Sequence, residues 1–279
     1  MPITMKFKTT IRILSLASLL ALPLSSRAGN WGTWTDIAAS KKVGTFSFTL
    51  SGGFRSQNNF KNVDRWSVGF EVAYKPIKFF EISTGYDYLY SYSMEEKEKK
   101  YETWQERDED GNIKEVSEYN GYNLKHPYWR SKNRWTVDVT GKLPVGRFTF
   151  SLRERYQLTR SLHASRTVDK YRIDDDTEAL YFRESERNDR PAKNDSRLRS
   201  RLTGEYNIRH CPLTPYLYGE IFNDLQSGMH LVKTRIGAGV EYKVSTHSKI
   251  DFGYVWQDNN GDNDETTPNI IDISYKYKF

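Results

Sequence analysis

The sequence is poor in cysteine and in long apolar runs. Its one cysteine, Cys211, cannot form a disulfide within the chain, so the fold depends on packing and strand pairing. No run of eighteen or more apolar residues is present, which excludes a helix that crosses a bilayer. A glycine-rich phosphate loop is also missing, and the basic residues form no continuous surface for nucleic acid. The sequence therefore predicts neither a helical membrane anchor nor a nucleic-acid partner.

The first 28 residues are typical of a secretory signal peptide. A basic start around Lys6 precedes an apolar run over residues 13–24, and the small residues Ser26 and Ala28 have the spacing that signal peptidase requires. We expect cleavage after Ala28. This removes four basic residues and lowers the formal net charge from +6 to +2. The pattern predicts an exported protein.

Apolar and polar residues alternate through most of the remaining chain. In TFSFTLSGGFR, residues 45–55, Phe46, Phe48 and Leu50 fall on one face, and serine and threonine fall on the other. A period of two is the pattern of a strand with one apolar face. Ten such stretches occur, most of them longer than the soluble norm of about five or six residues. The pattern predicts ten strands over residues 45–279, with twelve as an alternative, and leaves the placement of residues 29–44 open.

Short turns alternate with long polar connections along this part of the chain. The two longest connections are residues 93–125 and 163–195. In outer-membrane β-barrels, short turns face the periplasm and long loops face outside. We therefore predict an all-β protein, an antiparallel transmembrane β-barrel of about ten strands surrounded by outer-membrane lipid. A soluble periplasmic β-sandwich is the alternative.

The last ten residues, IIDISYKYKF, alternate apolar and polar residues up to the terminal Phe279. This ending resembles that of bacterial outer-membrane barrels, whose assembly machinery recognises a closing strand with a final aromatic residue. The resemblance implies that Phe279 is an assembly signal. It also implies that the barrel assembly machinery is a partner.

The polar faces of the predicted strands carry many charged residues, which a barrel would direct into its lumen. This predicted lumen-facing cluster consists of Glu71, Arg134, Arg153, Arg155, Arg199, Arg201, Glu205, Lys233, Arg235, Glu241, Lys243 and Asp251. Because a barrel of this size is narrow, we expect interdigitated guanidinium and carboxylate groups to fill the interior. An anion-selective or substrate-binding cavity is the alternative.

The tight turns LPVG and VSTHSK also predict which residues face each other across their hairpins. The predicted pairs are Leu143 with Gly146, Arg134 with Arg155, His126 with His163, and Lys243 with Asp251. The arginine pair would need a counter-charge from other inward residues.

Glu154 breaks the pattern, because the alternation directs it toward lipid between Leu152 and Tyr156. A charge on the lipid face can cost up to about 2–4 kcal/mol at the midplane for a basic residue, and less for an acidic one. A bulge at this position or a contact with a partner protein would resolve the conflict.

Ser161, His163 and His126 are the candidate catalytic residues. Ser161 and His163 lie two apart on one predicted face, and a nucleophile beside a base is the minimum that a hydrolase of this kind needs. Two histidines at this spacing could also hold a metal. Because no motif supports either reading, we predict no catalytic site, no metal and no cofactor. A barrel hydrolase with this Ser/His rim site is the alternative function.

The mature chain resembles the family catalogued as domain of unknown function 2490, exported proteins regarded as outer-membrane barrels. The resemblance rests on WGTWTDI, RLTGEYNI, PYLYGEIF, TRIGAGVEYKV and the closing aromatic strand. It implies the fold and the outer membrane as location, and it offers no catalytic residues. The sequence thus predicts an integral outer-membrane barrel with a structural, binding or narrow-pore, porin-like role.

Overall fold

The computed structural model describes residues 30–107, 112–174, 177–259 and 268–279, so the predicted signal peptide lies outside the described residues. Fifteen strands lie in these ranges. They are β1 (Trp31–Val43), β2 (Phe46–Gln57), β3 (Asn62–Ile77), β4 (Phe80–Ser93), β5 (Glu96–Arg107), β6 (Ile113–Lys125), β7 (Tyr128–Val145), β8 (Phe148–Ser161), β9 (Ala164–Ile173), β10 (Leu180–Arg190), β11 (Lys193–Tyr206), β12 (Leu213–Asp224), β13 (His230–Lys243), β14 (Ser248–Asp258) and β15 (Asn269–Lys278). Within the same ranges, no helix is long and apolar enough to cross a bilayer.

Eleven of the described strands close into a barrel, in the order β1-β15-β14-β13-β12-β11-β8-β7-β4-β3-β2. Neighbours are antiparallel except β1 and β15, which pair in parallel from Trp31↔Asn269 to Ser40↔Lys278. When strands alternate in direction around a closed wall, an odd number leaves one parallel pair. The predicted all-β barrel is confirmed. Residues 31–43, part of the segment that the sequence left unplaced, form the additional strand.

The barrel wall is apolar outside and polar inside, the reverse of a soluble protein. On β8, the outward residues Phe148, Phe150 and Leu152 are 49%, 41% and 51% exposed. On the inner side, Asp138 is 5% exposed and Glu220 only 1%. Successive side chains of a strand point to opposite faces, so the period of two in the sequence produces this separation directly.

Four further described strands form a second sheet at one end of the barrel, here called the outer sheet, in the order β10-β9-β6-β5. The β5–β6 and β9–β10 hairpins are joined by antiparallel pairing of β6 with β9. These strands occupy most of residues 93–125 and 163–195, which the sequence predicted to be long loops. Stretches such as EKEKKYETWQER are charged on both faces, so they lack the apolar period that marks the barrel strands.

A bulge in β6 aligns aromatic rings across the outer sheet. The β5–β6 pairing shifts by one residue at this point, and Gly121 adopts a φ of +105°. A Cβ at Gly121 would collide with the carbonyl oxygen of Tyr171, so only glycine fits here. The extra residue places Tyr119 and Tyr122 on the same face, where Tyr122 stacks on Tyr171 with ring centroids 4.8 Å apart.

The β7–β8 hairpin turns at Gly146 and Arg147, two residues further along the chain than predicted. Val145 pairs with Phe148, and Gly146 has the positive φ, +61°, that a two-residue hairpin turn requires. Because the shift is an even number of residues, inward residues stay inward while their partners change.

The predicted cross-strand pairs of this hairpin, and the predicted pair of the β13–β14 hairpin, are wrong. Leu143 does not face Gly146, Arg134 does not face Arg155, and Lys243 does not face Asp251. The observed pairs are Leu143 with Phe150, Arg134 with Thr159, Asp138 with Arg155, Lys243 with Lys249, and Glu241 with Asp251. The true turn position therefore supplies Arg155 with a carboxylate partner.

Candidate functional site

The barrel encloses a cavity of about 820 Å³. It extends from Glu205 and Lys276, toward the end with the short turns, to Arg65 and Arg197, toward the outer sheet. Small-molecule sites have volumes of about 300–1,000 Å³. The side chains thus leave a space along the lumen, contrary to the expectation of a filled interior.

Positive charge prevails on the cavity wall. Among the described residues, twelve arginine and lysine side chains line it against seven aspartates and glutamates. Ten members of the predicted cluster are in this lining: Arg134, Arg153, Arg155, Arg199, Arg201, Glu205, Lys233, Arg235, Glu241 and Asp251. Glu71 lines a side cavity of about 120 Å³ next to Arg155. Lys243 has the same alternation on β13 as Glu241, but it is exposed at the short-turn end and lines neither cavity.

Glu220 on β12 is the centre of an ion-pair network on one wall of the lumen, here called the Glu220 network. Its side chain is fully buried. Oε1 accepts hydrogen bonds from Arg153 and Arg199, both at 2.9 Å, and Oε2 accepts one from Arg201 at 2.8 Å. Arg235 lies 3.7 Å from Oε2. Several guanidinium groups around one carboxylate compensate the loss of its hydration.

Glu220 was not predicted from the sequence, because its strand, PYLYGEIF, carries large apolar residues on both faces. Tyr216, Tyr218 and Phe222 line the cavity, whereas Leu217 is exposed on the outer surface. The sequence does contain a signal for Glu220: it is the one charged residue of PYLYGEIF, and it falls on the same strand face as the inward Tyr216 and Tyr218. It also lies directly opposite an arginine, Arg201, across the β11–β12 ladder.

Aromatic rings hold several of the arginines in place. The distances from guanidinium carbon to ring centroid are 4.0 Å for Arg55 and 4.7 Å for Arg235 over Trp34, 4.5 Å for Arg199 over Phe222, and 4.2 Å for Arg201 over Tyr218. Such cation–π contacts are favourable, more so where water is excluded. They restrain the guanidinium planes without neutralising their charge.

A second buried carboxylate, Asp138, belongs to Arg155. Arg155 Nε donates to Asp138 Oδ1 at 2.6 Å, and its Nη2 donates to Oδ2. This two-point contact uses the planar fork of the guanidinium group. The arrangement explains how Arg155 is held beside the Glu220 network without sharing Glu220.

The two candidate histidines have different carboxylate neighbours. His126 Nε2 lies 2.7 Å from Asp169 Oδ2, whereas His163 Nε2 lies 3.8 Å from Asp189 Oδ1. No contact in the described ranges joins Ser161 to either histidine. The backbone N–H of His126 donates to the carbonyl oxygen of Thr167 at 2.9 Å, so the predicted pairing of His126 with His163 is wrong. Over the same residues, no group of three or more His, Cys, Asp and Glu side chains is placed to hold a metal.

Glu154 lies on the outward face of β8, as the alternation predicted, between Val139 and Ser200 on the neighbouring strands. The described pairs of β8 show no register shift, so a bulge does not turn it inward. Ser200 Oγ donates to Glu154 Oε2 at 2.6 Å. This hydroxyl partly compensates a carboxylate in apolar surroundings.

Phe279 lies at the short-turn end of the barrel. Its N–H donates to the carbonyl oxygen of Ser40 at 2.9 Å, and its exposed ring packs edge-on against Tyr277 with centroids 4.8 Å apart. The terminal residue is therefore anchored through its backbone, and its side chain stays accessible.

These features define a class of protein: a closed β-barrel with an apolar exterior and a basic lumen. The chain belongs to the family described as "Protein of unknown function (DUF2490)", whose model matches residues 31–267, which confirms the resemblance seen in the sequence. None of the curated proteins is significantly similar to the chain.

Two solved structures are similar to this chain at low identity. The beta domain of the Bordetella autotransporter BrkA is 12% identical, with 90% of this chain and 99% of that chain covered and a TM-score of 0.47. The outer-membrane protease OmpT from Escherichia coli is 11% identical, with 88% and 90% covered and a TM-score of 0.32. The strand pairing described above, rather than these likenesses, establishes the barrel.

Proposed function

We propose that the protein is an integral barrel of the bacterial outer membrane, exported by the signal peptide over residues 1–28. Outward residues such as Leu50, Val68 and Leu202 are 58–59% exposed, and they repeat around the wall. A soluble protein rarely exposes so large an apolar surface. A closed barrel also satisfies every ladder hydrogen bond, which is the condition for spanning a bilayer with strands.

Aromatic residues at both ends of the wall support this placement. Their pairs near the outer sheet are Tyr90–Trp129 and Tyr92–Trp129, and those near the short turns are Phe46–Tyr74 and Phe148–Tyr206. Aromatic girdles of this kind lie at the two membrane interfaces of outer-membrane barrels. The short turns then face the periplasm and the outer sheet faces outside.

We infer further that the lumen is a narrow passage selective for small anions. The observation that carries this inference is the cavity along the lumen with its twelve basic and seven acidic lining residues. A low-dielectric wall of one predominant sign concentrates ions of the opposite sign. The Glu220 network keeps four of the arginines at one level of the wall.

Single-channel conductance in planar bilayers tests this function. Reproducible current steps are expected, and Arg201→Gln and Glu220→Gln should shift ion selectivity in opposite directions because one removes a positive and the other a negative charge. Glu154→Gln is the matched control, since its side chain faces outward. Equal currents in all four proteins would contradict a passage through this lumen.

The assembly role of Phe279 is a separate part of the proposal. Because its ring is exposed at the proposed periplasmic end, it is accessible to an assembly partner. Phe279→Ser should lower the amount of folded protein in the outer membrane without changing how purified protein refolds in detergent. The hydrolase alternative is not advanced, because Ser161, His163 and His126 do not converge in the described contacts.

A further inference from the structure

Two walls of the lumen differ in how their basic residues are neutralised. The arginines of the Glu220 network share one carboxylate, and Arg155 has Asp138. On β2, β3 and β7, Arg55, Arg65, Lys132 and Arg134 also line the cavity, and the carboxylates of Asp36, Asp64 and Asp87 line it on β1, β3 and β4. In the described part of the chain, none of these four forms an ion pair with a carboxylate. We call these four residues the unpaired wall.

The four residues of the unpaired wall are neighbours on the barrel wall. Arg55 and Arg65 are direct partners across the β2–β3 ladder. Lys132 and Arg134 lie two residues apart on the same face of β7, and both line the cavity together with Arg65. Like charges directly opposite each other are destabilising unless something compensates them. The wall therefore favours an anion between these residues.

The carboxylate that could neutralise Arg134 is turned away. Asp87 lies directly opposite Arg134 across the β4–β7 ladder, yet its carboxylate packs over Gly69 on β3 and makes no ion pair with the guanidinium. Arg134 Nε donates instead to the hydroxyl of Thr159 at 3.4 Å. Glycine at position 69 provides the space that Asp87 occupies.

Arg65 also carries a buried donor without a partner. Its Nε has no hydrogen-bond partner among the described residues, a condition that it shares with the Nε atoms of Arg153, Arg199 and Arg201 in the Glu220 network, and a buried polar group without a partner is destabilising. Leu89 on β4, directly opposite Ser67 and Lys132, also lines the cavity but is only 1% exposed. The wall thus presents cations rather than an apolar surface.

From these contacts we propose that the unpaired wall binds the phosphate group of a small phosphorylated solute within the lumen. A phosphate monoester carries up to two negative charges and three acceptor oxygens, which suits three guanidinium groups and one ammonium group better than a single monovalent ion does. The proposal rests on the lumen being accessible, and so on the proposed function.

Calorimetric titration of the folded protein in detergent with inorganic phosphate tests the proposal, with chloride at matched ionic strength as the reference. Saturable phosphate binding is expected for the unmodified protein. The double variant Arg65→Gln/Arg134→Gln should bind phosphate about tenfold more weakly or worse, since charge-assisted hydrogen bonds are lost. Arg160→Gln, an exposed arginine on the outward face of β8, makes a unit change of charge and should bind as the unmodified protein does.

Gel mobility before and after heating shows whether each variant is folded. If the double variant fails to fold, the single variants Arg65→Gln and Lys132→Gln provide the same comparison. Equal phosphate affinity in the unmodified protein and in the folded variants would overturn the proposal, as would heats no larger than those of chloride. Phosphate binding by a protein that carries no current would support this site and overturn the passage. Current from a protein that does not bind phosphate would support the passage and overturn the phosphate site.

Discussion

The barrel lumen and the outer sheet use the same charged residue types in different surroundings. In the lumen, Glu220 is fully buried and Arg199 is 9% exposed, whereas Lys170 on the outer sheet is 21% exposed and its partners Glu184 and Glu186 are 50% and 45% exposed. Breaking a buried ion pair leaves a dehydrated charge and is strongly destabilising, while an exposed pair contributes little. The burial of an ion pair, rather than the number of ion pairs, therefore determines how much it contributes to the stability of this protein.

The largest difference between the two regions is expected from Glu220→Ala. It leaves three hydrogen-bonded arginines without their carboxylate, and we expect the free energy of unfolding to fall by about 3–5 kcal/mol. Denaturant unfolding of the protein refolded in lipid vesicles measures this change. Glu184→Ala on the outer sheet is the control and should have no measurable effect. If both substitutions lower the free energy of unfolding equally, buried and exposed ion pairs do not differ in their contribution to the stability of this protein.

A local effect is expected from Gly121→Ala in the outer sheet. The added methyl group meets the backbone of β9 at a residue with positive φ, which costs about 1–3 kcal/mol in strain. Hydrogen exchange should become faster in β6 and β9 and remain unchanged in the barrel strands. Faster exchange throughout the barrel would show that the outer sheet and the barrel form one cooperative unit.

A smaller effect, of opposite sign, is expected from Glu154→Leu. Replacing an outward carboxylate by an apolar side chain should raise the free energy of unfolding in vesicles by about 1 kcal/mol. Ser200→Ala, which removes the hydrogen-bond donor of Glu154, should lower it. A decrease with Glu154→Leu would indicate that the carboxylate contacts a partner rather than lipid.

The smallest effect is the pH dependence of the outer sheet. Hydrogen bonding from Lys170 lowers the pKa of Glu184, and hydrogen bonds to Glu186 and Glu184 raise the pKa of Lys170. The contribution of Glu184 is therefore present above its ordinary pKa, about 4.3, and is lost as pH falls through the lowered value. The contribution of Lys170 is present below its ordinary pKa, about 10.4, and is lost as pH rises through the raised value.

Hydrogen exchange around Lys170 and Glu184, corrected for intrinsic rates, should thus increase as pH falls below about 5. Lys170→Met should abolish the acid dependence that arises from Glu184. If hydrogen exchange in Lys170→Met keeps the same dependence on acid, that dependence arises from groups other than Glu184.

The alternation in the sequence predicted the barrel because each barrel strand presents an apolar face to the outside. Phe148, Phe150 and Leu152 carry that signal, and the same parity correctly directs Arg153 and Arg155 inward. The period of two determines which face a residue occupies and is insensitive to an even shift in register. Ten of the nineteen charged residues that line the cavity were in the predicted cluster.

Three features were beyond the reach of that pattern. The β7–β8 turn lies at Gly146, which has a positive φ, and not at Pro144, where the sequence predicted it. Every pair across this hairpin therefore differs from the prediction. Glu220 was concealed by the inward aromatic residues of its strand, Tyr216 and Tyr218. The outer sheet was missed because its strands are charged on both faces, so their pairing depends on contacts between distant segments of the chain.

The reversal potential across a planar bilayer with a KCl gradient shows whether the lumen is an open passage with prevailing positive charge. We expect a potential whose sign shows preferential passage of chloride, displaced toward chloride by Glu220→Gln and toward potassium by Arg201→Gln. A preference for potassium, or no current from protein shown to be folded and inserted, would contradict it.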